Sequence, residues 1–141
     1  MGRNAIFEVM QAGFILYVQD QHRSRDLYRV LLDREPMHDV PGMTEFDLGS
    51  CKLGLMPASG IARIITPALP HPDAGHGVPR CELYLRVDDL DAAIARAVQA
   101  GLSVVSPAAD RDWGDRVTYF ADPDGHVIAL AAPLRSTPTD H

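Results

Sequence analysis

The residues best able to do chemistry lie in one segment near the middle of the chain, Cys81-Glu-Leu-Tyr-Leu-Arg-Val-Asp. Glu82 could bind a substrate or act as a general base, because a carboxylate accepts both hydrogen bonds and protons. The alternative is that Glu82 only forms an ion pair with Arg86 or Arg80. Glu82 is therefore the first candidate for a catalytic or ligand-binding residue.

A second set of candidates combines aromatic rings with a guanidinium group. Trp113 offers a flat face for stacking, and Arg116 offers a bidentate fork that suits an anion. The structural alternatives are a Trp113 that covers the end of a sheet and an Arg116 that pairs with Asp112 or Asp115. Three tyrosines in predicted strands could supply hydroxyl groups or simply pack: Tyr17, Tyr84 and Tyr119.

Several other chemistries lack the residues that they need. The two cysteines, Cys51 and Cys81, match no zinc-binding spacing, and no glycine-rich phosphate-binding motif is present. The net charge of −6 leaves no basic stripe for a nucleic acid. No apolar run approaches the roughly 20 residues of a membrane span, and the first residues lack the apolar core of a signal peptide. We expect a cytoplasmic protein that binds neither nucleic acid nor membrane.

The candidates must be positioned by a chain of 141 residues that reads as two similar halves in one domain, residues 1–141. In the first half, about residues 12–57, we predict a strand, a helix and two strands over residues 13–20, 24–32, 44–48 and 51–56. In the second half, about residues 81–132, we predict a strand over residues 81–87 and a helix over residues 88–100. Three more strands are predicted over residues 102–105, 116–121 and 126–132. Leu16-Tyr-Val-Gln-Asp matches Leu85-Arg-Val-Asp-Asp, and Leu53-Gly-Leu matches Ile128-Ala-Leu. The repetition predicts a tandem duplication.

The stretch between the halves, residues 58–80, is rich in proline and glycine and is predicted to be a linker or a lid. Its apolar patch, residues 61–65, is predicted to form a short extra strand. The tail, residues 133–141, is polar and is expected to fray.

The second half contains residues typical of helix caps and tight turns. Asp88 or Asp89 can cap the start of its helix, and Gly101 suits the left-handed position at its end. Asp122-Pro-Asp-Gly predicts a tight turn between two strands, because Pro123 presets φ and Gly125 tolerates a positive φ.

In chain order, these patterns resemble the glyoxalase/bleomycin-resistance/extradiol-dioxygenase superfamily, also called the vicinal oxygen chelate fold, over about residues 12–132. The shared features are Val18-Gln-Asp with Asp26-Leu-Tyr, Val87-Asp-Asp-Leu-Asp-Ala-Ala, Trp113-Gly114 with Arg116, and Asp122-Pro-Asp-Gly. The resemblance implies an α+β fold of two tandem βαβββ modules. Their sheets would form a cup-shaped, partly closed barrel with the helices outside. It also implies a homodimer.

Period-two alternation assigns the faces of the strands in such a fold. The residues expected to face the helices are Phe14, Leu16, Val18, Leu83, Leu85 and Val87. The residues expected to face the cup are Gly13, Ile15, Tyr17, Gly54, Met56, Glu82, Tyr84, Arg86, Val127, Ala129 and Ala131.

Metal-dependent members of the family place two ligands in each module. The corresponding positions here are Gly13, Gly54, Glu82 and Ala129, and three of these residues lack a ligand atom. Transition-metal sites need about three or four protein ligands. The resemblance therefore implies the family scaffold without its metal or any other cofactor.

The function implied is that of a small-molecule-binding protein of the glyoxalase/bleomycin-resistance type, which sequesters a small, partly polar ligand in the cup. The pocket would be lined by Tyr17, Met56, Glu82, Tyr84, Arg86, Trp113 and Arg116. One alternative is a lyase, isomerase or dioxygenase of the same superfamily, acting on a small oxygenated compound with Glu82 as its base. Another is a regulatory subunit that binds a protein partner.

Overall fold

The computed structural model describes residues 9–75 and 77–135. The first half contains β1 (Gly13–Val18), α1 (Gln21–Leu32), β2 (His38–Val40), β3 (Met43–Asp47) and β4 (Lys52–Pro57). The second half contains β5 (Glu82–Arg86), α3 (Leu90–Ala100), β6 (Ser103–Asp110), β7 (Asp115–Ala121) and β8 (Val127–Pro133). The connecting stretch holds α2 (Ala58–Ile65) and a short 3-10 helix (Pro72–Gly75).

The two halves fold in the same way, as the internal repetition predicted. The first sheet has the order β1-β4-β3-β2 and the second has the order β5-β8-β7-β6. In each sheet the first strand pairs in parallel with the last, and the remaining pairs are antiparallel. The predicted α+β architecture of two βαβββ modules is therefore confirmed. The described strands form two separate sheets and do not close into a barrel.

Each long helix starts and ends where its residues satisfy the terminal backbone groups. In α1, the Asp20 carboxylate accepts the backbone N–H of Arg23 at 3.0 Å. In α3, the Asp89 carboxylate accepts the N–H of Ala92 at 3.1 Å, and Gly101 ends the helix with φ of 95°. Of the two predicted caps for α3, the structure selects Asp89.

The main core lies where α1 and α3 pack against each other and against the sheets. Side chains alternate along the strands, so that Leu16, Val18, Leu83 and Leu85 face this core, as predicted. Phe14 also alternates toward the helices, but it is largely exposed at the start of β1. The largest fully buried side chains are Tyr28, Phe46, Phe120, Leu53, Leu55, Ile128 and Leu130.

Several elements differ from the prediction. Residues 61–65 lie in α2 rather than in a strand, because Ala58 and Ala62 fall four apart and both are buried on one helix face. The short edge strand β2 was not predicted, and β6 extends to Asp110. β8 extends into the predicted tail, of which residues 136–141 lie outside the described part.

Among the described residues, no helix is both long enough and apolar enough to cross a lipid bilayer.

Candidate functional site

The second sheet has one face against the helices and one open face. On β5, Leu83 and Leu85 pack toward the core, so Glu82, Tyr84 and Arg86 point to the open side. The structure thus brings these three predicted site residues onto one surface. It lies beside Trp113, in the connection between β6 and β7.

A buried carboxylate organises this surface. Asp115, at the start of β7, is only 1% exposed. It accepts a hydrogen bond from the Tyr84 hydroxyl at 2.5 Å. The Arg86 guanidinium binds the same carboxylate through Nε at 3.1 Å and through Nη2 at 2.9 Å. Such a bidentate pair fixes the plane of the guanidinium as well as its position.

Trp113 completes the cluster. Its indole Nε1–H donates to the Tyr84 hydroxyl oxygen at 3.0 Å. The indole N–H therefore binds Tyr84, and the Tyr84 hydroxyl hydrogen goes to Asp115. Trp113 as a residue is nevertheless 54% exposed. The surface consequently offers a ligand a flat aromatic ring whose orientation is already set.

Small residues on β8 allow this cluster to form. Strand β8 lies between β5 and β7, with Ala129 beside Tyr84 and Ala131 beside Arg86. Strands two positions apart are separated by about 9.5 Å, so long side chains meet across the middle strand only where that strand carries short ones. Ala129 and Ala131 provide that gap.

The electrostatics keep the cluster in one protonation state near neutral pH. The hydrogen bond from Tyr84, supported by Arg86, holds the pKa of Asp115 below its usual value. Desolvation, with the hydrogen bond to Asp115, raises the pKa of Tyr84. Asp115 is therefore an anion, Tyr84 a neutral phenol, and the pair of Asp115 with Arg86 carries no net charge.

A second contact extends the open face toward β6. The Arg111 guanidinium lies 5.3 Å from the centre of the Tyr119 ring, within range of a cation–π interaction. Its Nη2 donates to the Ser106 hydroxyl and to the Val117 carbonyl oxygen, each at 3.2 Å. The Tyr119 ring thus packs against the Arg111 guanidinium on the open face.

Two predicted site residues lie in the first sheet. Tyr17 on β1 and Met56 on β4 are direct neighbours in the parallel register. Tyr17 is 38% exposed, and its neighbour on the same face, Ile15, is also exposed. These residues line an open apolar face of the first module, separate from the cluster around Asp115.

The structure does not bring Arg116 to the cluster. It follows Asp115 on β7, so its side chain points to the opposite side of the sheet. There its Nη1 donates to Asp110 at 2.8 Å. The predicted alternatives for its partner were Asp112 and Asp115, whereas the contact is with Asp110.

The four positions that the resemblance assigns to a metal site lack the side chains to hold an ion. Gly13 and Ala129 offer no ligand atom, nor does Gly54, and Glu82 stands alone among them. Within residues 9–75 and 77–135, no three His, Cys, Asp or Glu side chains lie together in a way that could hold an ion.

Asp115 was missed as a site residue by reasoning from the sequence, which treated it only as a partner for Arg116. The usable signal was its period-two relation to Val117 and Tyr119, which places it on the open face. Its contact with Tyr84, 31 residues away, could not be inferred from that pattern.

Comparison with known proteins extends these observations. A sequence model of the Glyoxalase/Bleomycin resistance protein/Dioxygenase superfamily matches residues 9–130. An uncharacterized protein of Mycobacterium bovis is 30% identical over 132 residues, covering 89% of this chain and 84% of that protein.

Solved structures share the architecture. A glyoxalase-related enzyme from Fulvimarina pelagi superposes with a TM-score of 0.74 at 22% identity, covering 88% of each chain. At that identity the likeness shows the fold alone. TnmS3, an antibiotic binding protein from Streptomyces sp. CB03234, has a TM-score of 0.66 at 27% identity, covering 92% of this chain and all of that one.

Proposed function

Since this chain belongs to the glyoxalase/bleomycin resistance protein/dioxygenase superfamily, we propose that it binds a small, partly polar molecule without a catalytic metal. The observation that carries the proposal is the cluster of Trp113, Tyr84, Arg86 and Asp115, which is arranged before any ligand arrives. Preformed surfaces of this kind reduce the entropy cost of binding. The likeness to an antibiotic binding protein supports a binding function.

The cluster favours a flat ligand over an anion. Arg86 already shares its charge with Asp115, so an anionic ligand would gain little from it. The Arg86 side chain is nevertheless 61% exposed, as is much of Trp113. Aromatic rings and guanidinium planes both stack on conjugated systems. The ligand is therefore a planar molecule with polar substituents.

The proposal includes the expected cup. The open face of the second sheet carries the cluster, and the open face of the first carries Tyr17, Ile15 and Met56. If the two faces curl toward a common space, a ligand meets the aromatic cluster on one side and an apolar wall on the other. Arg116 lies outside this pocket because its side chain is on the opposite side of β7.

The proposal also includes a homodimer. β1 is an edge strand whose six residues, GFILYV, include neither a charge nor a proline. Edge strands of that kind pair readily with another chain. Phe14 on β1 is 65% exposed, as expected of a side chain that a second copy covers. Sedimentation of wild type and Phe14→Glu tests this, with Ile64→Glu on α2 as a matched exposed control.

The binding function is tested with the single tryptophan of the chain as the reporter. Panels of planar aromatic compounds and of simple carboxylates are titrated while the Trp113 emission is followed. Binders are then checked by thermal shift, because a ligand that binds only the folded state raises the melting temperature. We expect planar compounds to bind and Trp113→Ala to lose the thermal shift, whereas Val98→Ala, on the exposed side of α3, retains it. Unchanged shifts in Trp113→Ala would refute the site.

The metal-free state is tested separately. The purified protein is incubated with Ni²⁺, Zn²⁺, Fe²⁺ or Mn²⁺ and its metal content is measured. We expect negligible binding, because Glu82 alone cannot hold such an ion. About one tightly held metal per subunit would contradict the proposal.

The enzymatic alternative depends on Glu82, which lies exposed at the start of β5 on the same face as Tyr84. It predicts turnover of a small oxygenated compound that is lost in Glu82→Gln. If turnover is found and persists in that variant, Glu82 is not the base.

A further inference from the structure

The turn between β7 and β8 joins the two modules. The Asp124 carboxylate accepts the backbone N–H of Gln19 at 2.9 Å, across 105 positions of the chain. His126 Nε2 lies 2.9 Å from the carbonyl oxygen of Tyr17. A carbonyl only accepts, so this nitrogen carries the hydrogen. Both bonds hold the end of β1, where the first module leaves its sheet.

A second residue of the turn anchors it to α1. Asp122 is 6% exposed, and its Oδ2 accepts the hydroxyl hydrogen of the buried Tyr28 at 2.8 Å. Its Oδ1 accepts the backbone N–H groups of Asp124 and His126 at 2.9 and 2.8 Å. Three donors thus satisfy the Asp122 carboxyl and anchor the turn to α1 and to its own backbone.

Asp124 is satisfied on one side only. Its Oδ1 accepts from Gln19, but its Oδ2 is buried with no hydrogen-bond partner among the described residues. Within the turn, the charge of Asp122 raises the pKa of the Asp124 carboxyl, and His126 lowers it. Arg23, on α1, also lowers that pKa. From the connecting stretch, Gly77 packs against the backbone of the turn. Protonation stabilises a carboxylate that has a hydrogen-bond partner on only one oxygen and lies beside a second carboxylate.

We propose that residues 122–126 form a proton-sensitive latch between the modules, which holds the end of β1 more firmly when the Asp124 carboxyl is protonated. The proton sits on the buried Oδ2, and Oδ1 continues to accept from Gln19. Burial, with the charge of Asp122, raises the pKa of Asp124, in agreement with this geometry.

The direction follows from linkage. In an open turn the Asp124 carboxyl is solvated and titrates near its ordinary value of 3.8. The closed turn binds the proton more tightly, so a falling pH shifts the population toward the closed state. The latch therefore tightens in mild acid and loosens as pH rises through the closed-state pKa. This inference does not depend on the proposed ligand site.

Amide hydrogen exchange of the ¹⁵N-labelled protein tests the latch. The protection factor of the Gln19 amide, corrected for intrinsic exchange, is compared between about pH 7 and about pH 4.5. We expect a several-fold rise in acid for the wild type, with the Ile128 amide in the core unchanged. Asp124→Asn is neutral and still accepts through its side-chain oxygen, so its Gln19 protection should be high and independent of pH.

Two variants distinguish the titrating group. His126→Gln keeps an N–H donor and removes the imidazole, so the pH dependence should persist in it. The proposal is overturned if the dependence disappears in His126→Gln, or if Asp124→Asn retains it. It is also overturned if Gln19 protection falls in acid. If Asp124→Asn does not fold, the ¹³C chemical shift of the wild-type Asp124 carboxyl is followed in a pH titration instead. A titration midpoint at or below pH 3.8 would exclude the latch.

Discussion

Tyr84 and Asp115 meet across an intervening strand, through a hydrogen bond of 2.5 Å from the phenol to a carboxylate that is 1% exposed. The bond links β5 to β7 on the open face of the second sheet. It places Tyr84 so that the oxygen can accept from Trp113. The orientation of the exposed indole thus depends on a buried aspartate that never reaches the surface.

Asp115→Asn should loosen this arrangement in a way that depends on pH. The Asp115 pKa is lowered in the fold, so its contribution to stability is present above the ordinary value of 3.8 and is lost as pH falls through the folded-state pKa. We expect Asp115→Asn to melt below the wild type at neutral pH and the difference to vanish in strong acid. Thermal melts across a pH series measure this, and a difference that grows in acid would contradict it.

Ala131→Leu should disrupt the cluster sterically. Ala131 is fully buried and lies beside Arg86 on the open face, so a larger side chain would occupy the space that Arg86 crosses. Overpacking costs about 1–3 kcal/mol of unfolding free energy. The emission of Trp113 should change, and planar ligands should bind more weakly. Ala132→Leu, on the other side of β8, should leave the emission unchanged. An equal change in both variants would show that the cluster does not depend on the short side chain of Ala131.

Tyr28→Phe should destabilise the protein by leaving Asp122 without its buried donor. The expected loss is about 1–3 kcal/mol of unfolding free energy, measured in urea. Tyr17→Phe, at a partly exposed position, should change it by less than about 0.5 kcal/mol. Equal effects of the two variants would show that the hydrogen bond contributes little.

Tyr28 also predicts a dependence on alkaline pH. Burial, with the charge of Asp122, raises its pKa well above 10.0. The stability that this shift contributes is present below that value and is lost as pH rises toward the folded-state pKa. Ultraviolet titration should therefore show one tyrosine that ionises only when the protein unfolds.

Gly125→Ala should cost more than Gly101→Ala. Both glycines have a positive φ, of 88° and 95°, which an L-residue adopts at a cost of about 1–2 kcal/mol. A Cβ on Gly101 meets open space, whereas a Cβ on Gly125 would lie 2.8 Å from backbone atoms of Gly77. The difference between the two unfolding free energies isolates that contact. Equal costs would show that residues near Gly77 move aside freely.

The sequence by itself determined the features that depend on neighbours in the chain. An aspartate cap at Asp88 or Asp89, the left-handed Gly101 and the turn at Gly125 follow from local backbone chemistry. The alternation of Leu83 and Leu85 with Tyr84 fixed the two faces of β5. The same local rules, repeated in both halves, predicted a tandem duplication, and the family resemblance implied the paired βαβββ modules.

The tertiary structure alone decided which of these residues meet. Tyr84 reaches Asp115 across 31 positions, and Asp124 reaches Gln19 across 105. Such contacts depend on strand order, on the short side chains of β8 and on how the modules dock, none of which a local pattern records. For the same reason the helix α2, which is held by the burial of Ala58 and Ala62, replaced a strand predicted from its isoleucines. Arg116 directly follows Asp115 on β7, so its side chain lies on the opposite side of the sheet from the cluster. Only the register of β7 showed which side that is.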